Sequence, residues 1–95
     1  MAAYLIAAIV VTDMDQYKKY IDRTPGVIER YGGHFIARGG ETVTLEGAEE
    51  TRRIVLVEFP SLQQARAFYD SAEYKEVKKL REGAAMVHLV AIEGV

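Results

Sequence analysis

There is no cysteine among the 95 residues. That absence excludes a disulfide framework, a thiolate metal site and a cysteine nucleophile. No charge of one sign dominates: twelve basic and 14 acidic side chains are intermixed and leave a net charge of -2. Such a pattern offers no basic field for nucleic acid or anionic lipid, so neither is an expected partner. The apolar run Ala2 to Thr12 is too short to span a membrane. No basic leader precedes it, so it reads as a first strand rather than a signal peptide, and a cytoplasmic protein is the default expectation. Gly39-Gly40 lacks the spacing and the Lys-Ser/Thr ending of a phosphate loop. The aromatics of an RNA-binding RRM sheet are missing too.

What is present points to one folded domain over residues 1–95. Apolar residues make up 49% and charged residues 27%, which argues against disorder. Ala2 to Thr12, AAYLIAAIVVT, is rich in the Ile and Val that favour strands, and it is apolar on every residue. Such a strand buries both faces. A chain this short has helices for one face only, so a second copy of the chain is expected to cover the other.

Asp13 follows as a helix cap, with Gln16 at capping-box spacing, and Met14, Tyr17, Tyr20 and Ile21 recur at helical intervals. Thr24-Pro25 predicts a break and a second helical piece, closed by Gly32-Gly33. His34 to Arg38 reads as a second strand, with a bulge or bend at Gly39-Gly40. Glu41 to Glu46 alternates and predicts a hairpin arm continuing that strand, turning at Gly47 to Thr51. Arg52 to Phe59 is the third strand. Ser61 caps the next helix, which breaks at Asp70-Ser71 and restarts toward Gly83, with Lys75, Lys78, Lys79 and Arg81 largely outward. Ala85 to Ile92 is the last strand. The order β-α-β-β-α-β is the ferredoxin-like arrangement, an α+β fold with a four-stranded antiparallel sheet and its helices on one face.

Alternation sorts each strand into two faces. Ala3, Leu5, Ala7, Ile9 and Val11, then Phe35 and Ala37, then Val55, Val57 and Phe59, then Val87, Leu89 and Ala91 are wholly apolar and are assigned to the helices. The other face gathers Tyr4, His34, Arg38, Glu58 and His88 among Ile6, Val10, Ile36, Ile54, Leu56, Val90 and Ile92. It is too apolar to face water and too polar for a plain core. A sheet-to-sheet homodimer enclosing a pocket with a few polar groups satisfies both facts.

Tyr4, Asp13 with Tyr17 and Tyr20, Tyr31-Gly32-Gly33, Arg38-Gly39-Gly40, Leu45-Glu46-Gly47, Glu58-Phe59-Pro60-Ser61, Ala65, Ser71 with Tyr74, and Arg81 occur in an order and spacing that run nearly the whole chain. In these the sequence resembles the DUF1330 proteins, small bacterial proteins of the dimeric α+β-barrel superfamily. The resemblance implies a ferredoxin-like protomer and a sheet-to-sheet dimer. It implies no activity, since the superfamily includes cofactor-independent monooxygenases, small isomerases and haem-handling enzymes. An Arg is common in the family where this chain has His34.

The expected function is binding of a small, partly apolar or anionic molecule, with cofactor-independent acid-base chemistry of monooxygenase or isomerase type if it is an enzyme. His34 and Glu58 are the candidate proton movers, and Tyr4, Arg38 and His88 the candidate binding residues. Arg38 and Glu58, on adjacent strands, are expected to share a face as an ion pair or an anion site. No cofactor and no metal site is expected. The rival reading is a non-catalytic dimeric binding or regulatory module.

Overall fold

The computed structural model describes residues 1–95. Its elements are β1 (Ala3–Val11), α1 (Met14–Arg30), β2 (His34–Arg38), β3 (Arg53–Phe59), α2 (Leu62–Asp70), α3 (Ala72–Lys78), a 3-10 turn (Lys79–Arg81) and β4 (Ala85–Glu93). The four strands form one antiparallel sheet in the order β2-β3-β1-β4. This is the ferredoxin-like α+β arrangement, with the two hydrophobic inner strands, β1 and β3, at the centre. No helix is long and apolar enough to cross a membrane.

Helix α1 starts where Asp13 Oδ1 accepts from the Gln16 backbone N–H at 3.2 Å. Gln16 does not close a capping box. Its amide instead donates to the carbonyls of Leu80 (3.2 Å) and Glu82 (2.9 Å), which ties the start of α1 to the 3-10 turn. The break expected at Thr24-Pro25 does not occur, and α1 runs through Pro25. Proline has no N–H, so the Ile21 carbonyl, one turn back, loses its helical donor. Arg38 Nη2, from β2, donates to that oxygen at 3.2 Å. A proline expected to open a second helical piece therefore lies inside a continuous helix and frees an acceptor for a distant side chain.

The second helical segment does divide as expected. Ser71 is both the end of α2 and the cap of α3: its hydroxyl donates to the Phe68 carbonyl (2.7 Å) and accepts from the Tyr74 N–H (3.0 Å). The hairpin arm expected at Glu41 to Glu46 is absent. Residues 40–52 contain no strand, and Val43 and Leu45 stand 74% and 91% exposed. Their alternation meets no sheet face within the chain. The loop is held locally instead, by Arg52 paired with both carboxylate oxygens of Glu50 (2.9 and 2.8 Å) and by Thr44 Oγ1 accepting from the Glu50 N–H (2.8 Å).

The faces sort as alternation predicts on three strands. Ala3, Leu5, Ala7 and Ile9 of β1 and Val55, Val57 and Phe59 of β3 are buried beneath the helices, and Val87, Leu89 and Ala91 of β4 pack against the same core. Tyr17, Val27, Ile28, Ala65, Phe68, Tyr74 and Val77 close that core from the helix side. On β2 the alternation fails. Phe35 lies opposite Val57, but Ala37 lies opposite Leu56 and Arg38 opposite Val55. Ile36 is the extra residue of a β-bulge, and beyond it every side chain changes face. Arg38 is therefore on the helix side and Ala37 on the open side, the reverse of the expectation.

Candidate functional site

Between α1 and the sheet the core is incompletely filled. The cavity there offers about 60 Å³ to the centre of a water-sized sphere. One water needs about 10–15 Å³ on that measure, so there is room for more than a single water. Its walls are mainly apolar, from β1 (Leu5, Ala7, Ile9), β3 (Val55, Val57), Phe35, Ile28 and Phe68. The polar lining consists of Tyr17, Tyr20, Thr24, Tyr74, Arg38 and Arg53. No aspartate, glutamate or histidine is among the lining residues.

Each arginine has a structural reason to be where it is. Arg38 reaches the cavity because the bulge turns it inward. Its guanidinium then lies 4.3 Å from the centre of the Phe35 ring and bonds the Ile21 carbonyl that Pro25 leaves free. Arg53 has the same strand parity as Val55 and Val57, opposite Ile9, and so faces the helices at the end of β3. Gly39, with φ of +69°, lets the Arg53 guanidinium lie against the backbone, where any side chain at residue 39 would collide with it. Arg81, from the 3-10 turn, approaches from the far side of the tyrosines. Its guanidinium carbon is 5.4 Å from the Tyr20 ring centre, and its Nη2 donates to Tyr74 Oη at 3.5 Å. No carboxylate is in salt-bridge range of Arg38, Arg53 or Arg81: the chain's ion pairs are Arg30–Glu73, His34–Glu58, Arg52–Glu50 and Lys79–Glu76.

The tyrosines are set against these charges. Tyr20 and Tyr74 share a hydrogen bond of 2.7 Å between their hydroxyls. Burial pushes the Tyr74 hydroxyl well above the ordinary tyrosine range, and proximity to Tyr20 pushes the same way. Burial raises the Tyr17 hydroxyl too, opposed but not cancelled by the charges of Arg53 and Arg81. Both hydroxyls are therefore held protonated at neutral pH. Burial outweighs the arginine charges at Tyr17, and the cavity lining contains no carboxylate or imidazole to take up a proton.

Of the five residues expected at the site, only Arg38 lines this cavity. Its expected pairing with Glu58 does not form, because the bulge places the two on opposite faces of the sheet. Glu58 instead meets His34, directly across the β2–β3 ladder, with Nε2 to Oε1 at 3.0 Å. Tyr4 lies opposite Glu58 on the same open face. His88 is on that face as well, but it lies opposite Ala8, four residues along β1 from Tyr4. At about 3.3 Å per residue this is roughly 13 Å along the strands, and two further strand spacings of about 4.8 Å separate His88 from Glu58 across the sheet. His34, Glu58 and His88 thus form no cluster, and no three His, Asp or Glu side chains gather in a group able to hold a metal ion.

Sequence reasoning missed Tyr17, Arg53 and Arg81 as site residues. For two of them a signal was present. Arg53 breaks the otherwise apolar helix-side parity of β3, and Arg81 falls at the inward spacing of Tyr74, Val77 and Ala84 rather than on the outward face. Tyr17 gave none, since a tyrosine at helical spacing reads equally well as core.

The open face of the sheet carries Tyr4, Ile6, Ile54 and Leu56 half-buried, with Val10, Ile36, Val90 and Ile92 exposed by 37–56%. These side chains form one apolar patch across all four strands.

Comparison with solved structures finds the same fold in proteins of low sequence identity. A protein of unknown function from Rhodopseudomonas palustris superposes with a TM-score of 0.78 at 19% identity, covering 99% of this chain and 82% of the other. SnoaB, a cofactor-independent oxygenase from Streptomyces nogalater, gives 0.70 at 9% identity, covering 99% and 93%. A dimeric protein of unknown function with a ferredoxin-like fold from Bacteroides fragilis gives 0.65 at 14%, covering 98% and 96%. No curated protein matches the chain. The family profile of a domain of unknown function, DUF1330, matches residues 2–95, and the chain belongs to that family.

Proposed function

We propose that this protein is a homodimer that binds a small, partly apolar anion in the cavity between α1 and the sheet. The observation that carries the reading is the pair Arg38 and Arg53, free of carboxylate partners at an otherwise apolar cavity. Arg38 is exposed and Arg53 half-buried, so water answers both charges until a ligand anion displaces it. The second copy of the chain would cover the apolar open face, as the dimeric, ferredoxin-like Bacteroides fragilis protein supports.

In this reading His34 and Glu58 hold one another at the edge of the dimer contact and move no substrate proton. The cavity is better suited to binding an anion than to removing a proton. Any reaction there would draw on the reactivity of the substrate itself, a class to which the cofactor-independent oxygenase SnoaB lends support through fold alone.

Native mass spectrometry of protein purified under mild conditions is the test. A dimer carrying a removable extra mass is the expected result, and a monomer at micromolar concentration would remove the dimer half of the proposal. With the ligand so identified, Arg38→Met is expected to weaken binding by about tenfold or more, the loss of one charge-assisted hydrogen bond. Isothermal titration of wild type and variant reads it. Undiminished affinity in the variant would take Arg38 out of the site.

A further inference from the structure

Glu41 to Glu46 has the alternation of a strand but forms none in its own chain. Val43 and Leu45 project from it almost bare, and the segment is held rather than slack, since Thr44 Oγ1 accepts from the Glu50 N–H. At the other side of the sheet, the nine residues of β4 have only β1 as a neighbour. Exposed edges are usually blunted by proline, lysine or a bulge. The β4 edge has none of these. Next to it α2 leaves an apolar groove walled by Leu62, Tyr69, Leu89 and Ala91, with the exposed Arg66 among its lining. A strand added to that edge would lay alternate side chains into the groove.

Within one protomer the segment and the bare edge lie on opposite sides of the sheet, about 14 Å apart across three strand spacings. A two-fold axis along the strands, between two facing sheets, lays the β2 edge of one copy over the β4 edge of the other. The register then agrees. Arg38 lies opposite Val55, Val55 opposite Ala7, and Ala7 opposite Leu89, so the segment departs at the row of a residue that lines the other copy's groove. Facing sheets are about 10 Å apart, a gap that about three extended residues cross. Gly39, Gly40 and Glu41 precede Thr42 and supply that length. Charge agrees as well, because Glu41, Glu46 and Glu49 have no ion pair in the chain and neither has Arg66. We propose that residues 41–46 of each copy add a strand to the β4 edge of the other, with Val43 and Leu45 seated in the groove between α2 and β4. Main-chain bonds would supply the affinity and the alternate side chains the specificity. The inference rests on the homodimer reading above and deepens it, naming a segment that the two copies exchange reciprocally.

The chain has no cysteine, so introduced thiols report without background. Leu45→Cys and Leu62→Cys both fall at exposed positions and leave the protomer core untouched. In the variant carrying both, a short bis-maleimide is expected to give a covalent dimer on a denaturing gel. Either change alone is expected to give none, because like positions lie on opposite edges of the dimer. Val43→Asp combined with Leu45→Asp is expected to raise the dimer dissociation constant at least about 100-fold in sedimentation velocity, with the circular dichroism spectrum unchanged. A wild-type dimer whose double-cysteine variant stays uncrosslinked would overturn the inference and leave the homodimer reading intact. So would crosslinking of Leu45→Cys alone, which would bring the two segments together, or an aspartate variant that associates as tightly as wild type. A monomeric wild type at micromolar concentration would remove both readings.

Discussion

Phe68→Ala is expected to remove about 3–5 kcal/mol of folding stability. Phe68 is 1% exposed and is the hub of the aromatic core. Its ring lies 4.5 Å from Tyr74, 5.3 Å from Phe59 and 6.4 Å from Tyr31, centre to centre. Truncation loses the burial of the ring, and the rigid neighbours cannot collapse into the space. The Phe68 carbonyl also receives the Ser71 hydroxyl, so a shift of α2 would disturb the cap of α3. Domains of this size have about 5–15 kcal/mol in total, so the variant should lie near the threshold of folding. Urea unfolding at fixed protein concentration is the measurement, because self-association would add concentration-dependent stability. A loss below about 1 kcal/mol would mean that the aromatic cluster is not the centre of the core.

Ile6→Lys is expected to abolish the proposed dimer at micromolar concentration while leaving the protomer folded. Leu56, Ile6 and Val90 form a row across the open face, on adjacent strands of the sheet. A second copy packed there would bury two lysines without carboxylate partners. An unpaired buried charge costs several kcal/mol, and about 3 kcal/mol already weakens association more than 100-fold. The protomer should tolerate the change, because Ile6 points away from the helices and a lysine there can reach water. Sedimentation velocity gives the association state, and circular dichroism shows whether the fold survives. A folded variant that remains dimeric would place the contact elsewhere, and the open face would then need another occupant.

The sequence was most legible where the strands are central and regular. The parity of Ala3, Leu5, Ala7 and Ile9, and of Val55, Val57 and Phe59, follows from period-two geometry, and the buried set matches it. Parity failed on the edge strand β2. A bulge costs little where only one neighbour constrains the register, and nothing in His34 to Arg38 announces it. Gly39-Gly40 did suggest an irregularity, but it marks the exit from β2, two residues past the shift. Pro25 misled for a related reason: its local preference to begin a helix was overridden by tertiary contacts on both sides. The site was harder to read than the fold because its chemistry depends on which face a single residue takes. His34 and Glu58 do share the open face to which alternation assigned them, but Glu58 pairs there with His34 rather than with Arg38, and that face lies away from the cavity. The residues that surround the cavity polar groups, Tyr17, Arg53 and Arg81, come from three separate segments whose meeting only the fold reveals.

The bulge at Ile36 also has a genetic reading. Deletion of the bulged residue would pair Phe35, Ala37 and Arg38 with Val57, Leu56 and Val55 in an unbroken ladder, so a β2 one residue shorter would keep its arginine on the helix side. Since β2 pairs only with β3, such a change need not propagate through the sheet. A β2 of the same length without the bulge would instead carry the same arginine on the open side. Alignment by residue identity would score the two as equivalent, although only one arginine would reach the cavity.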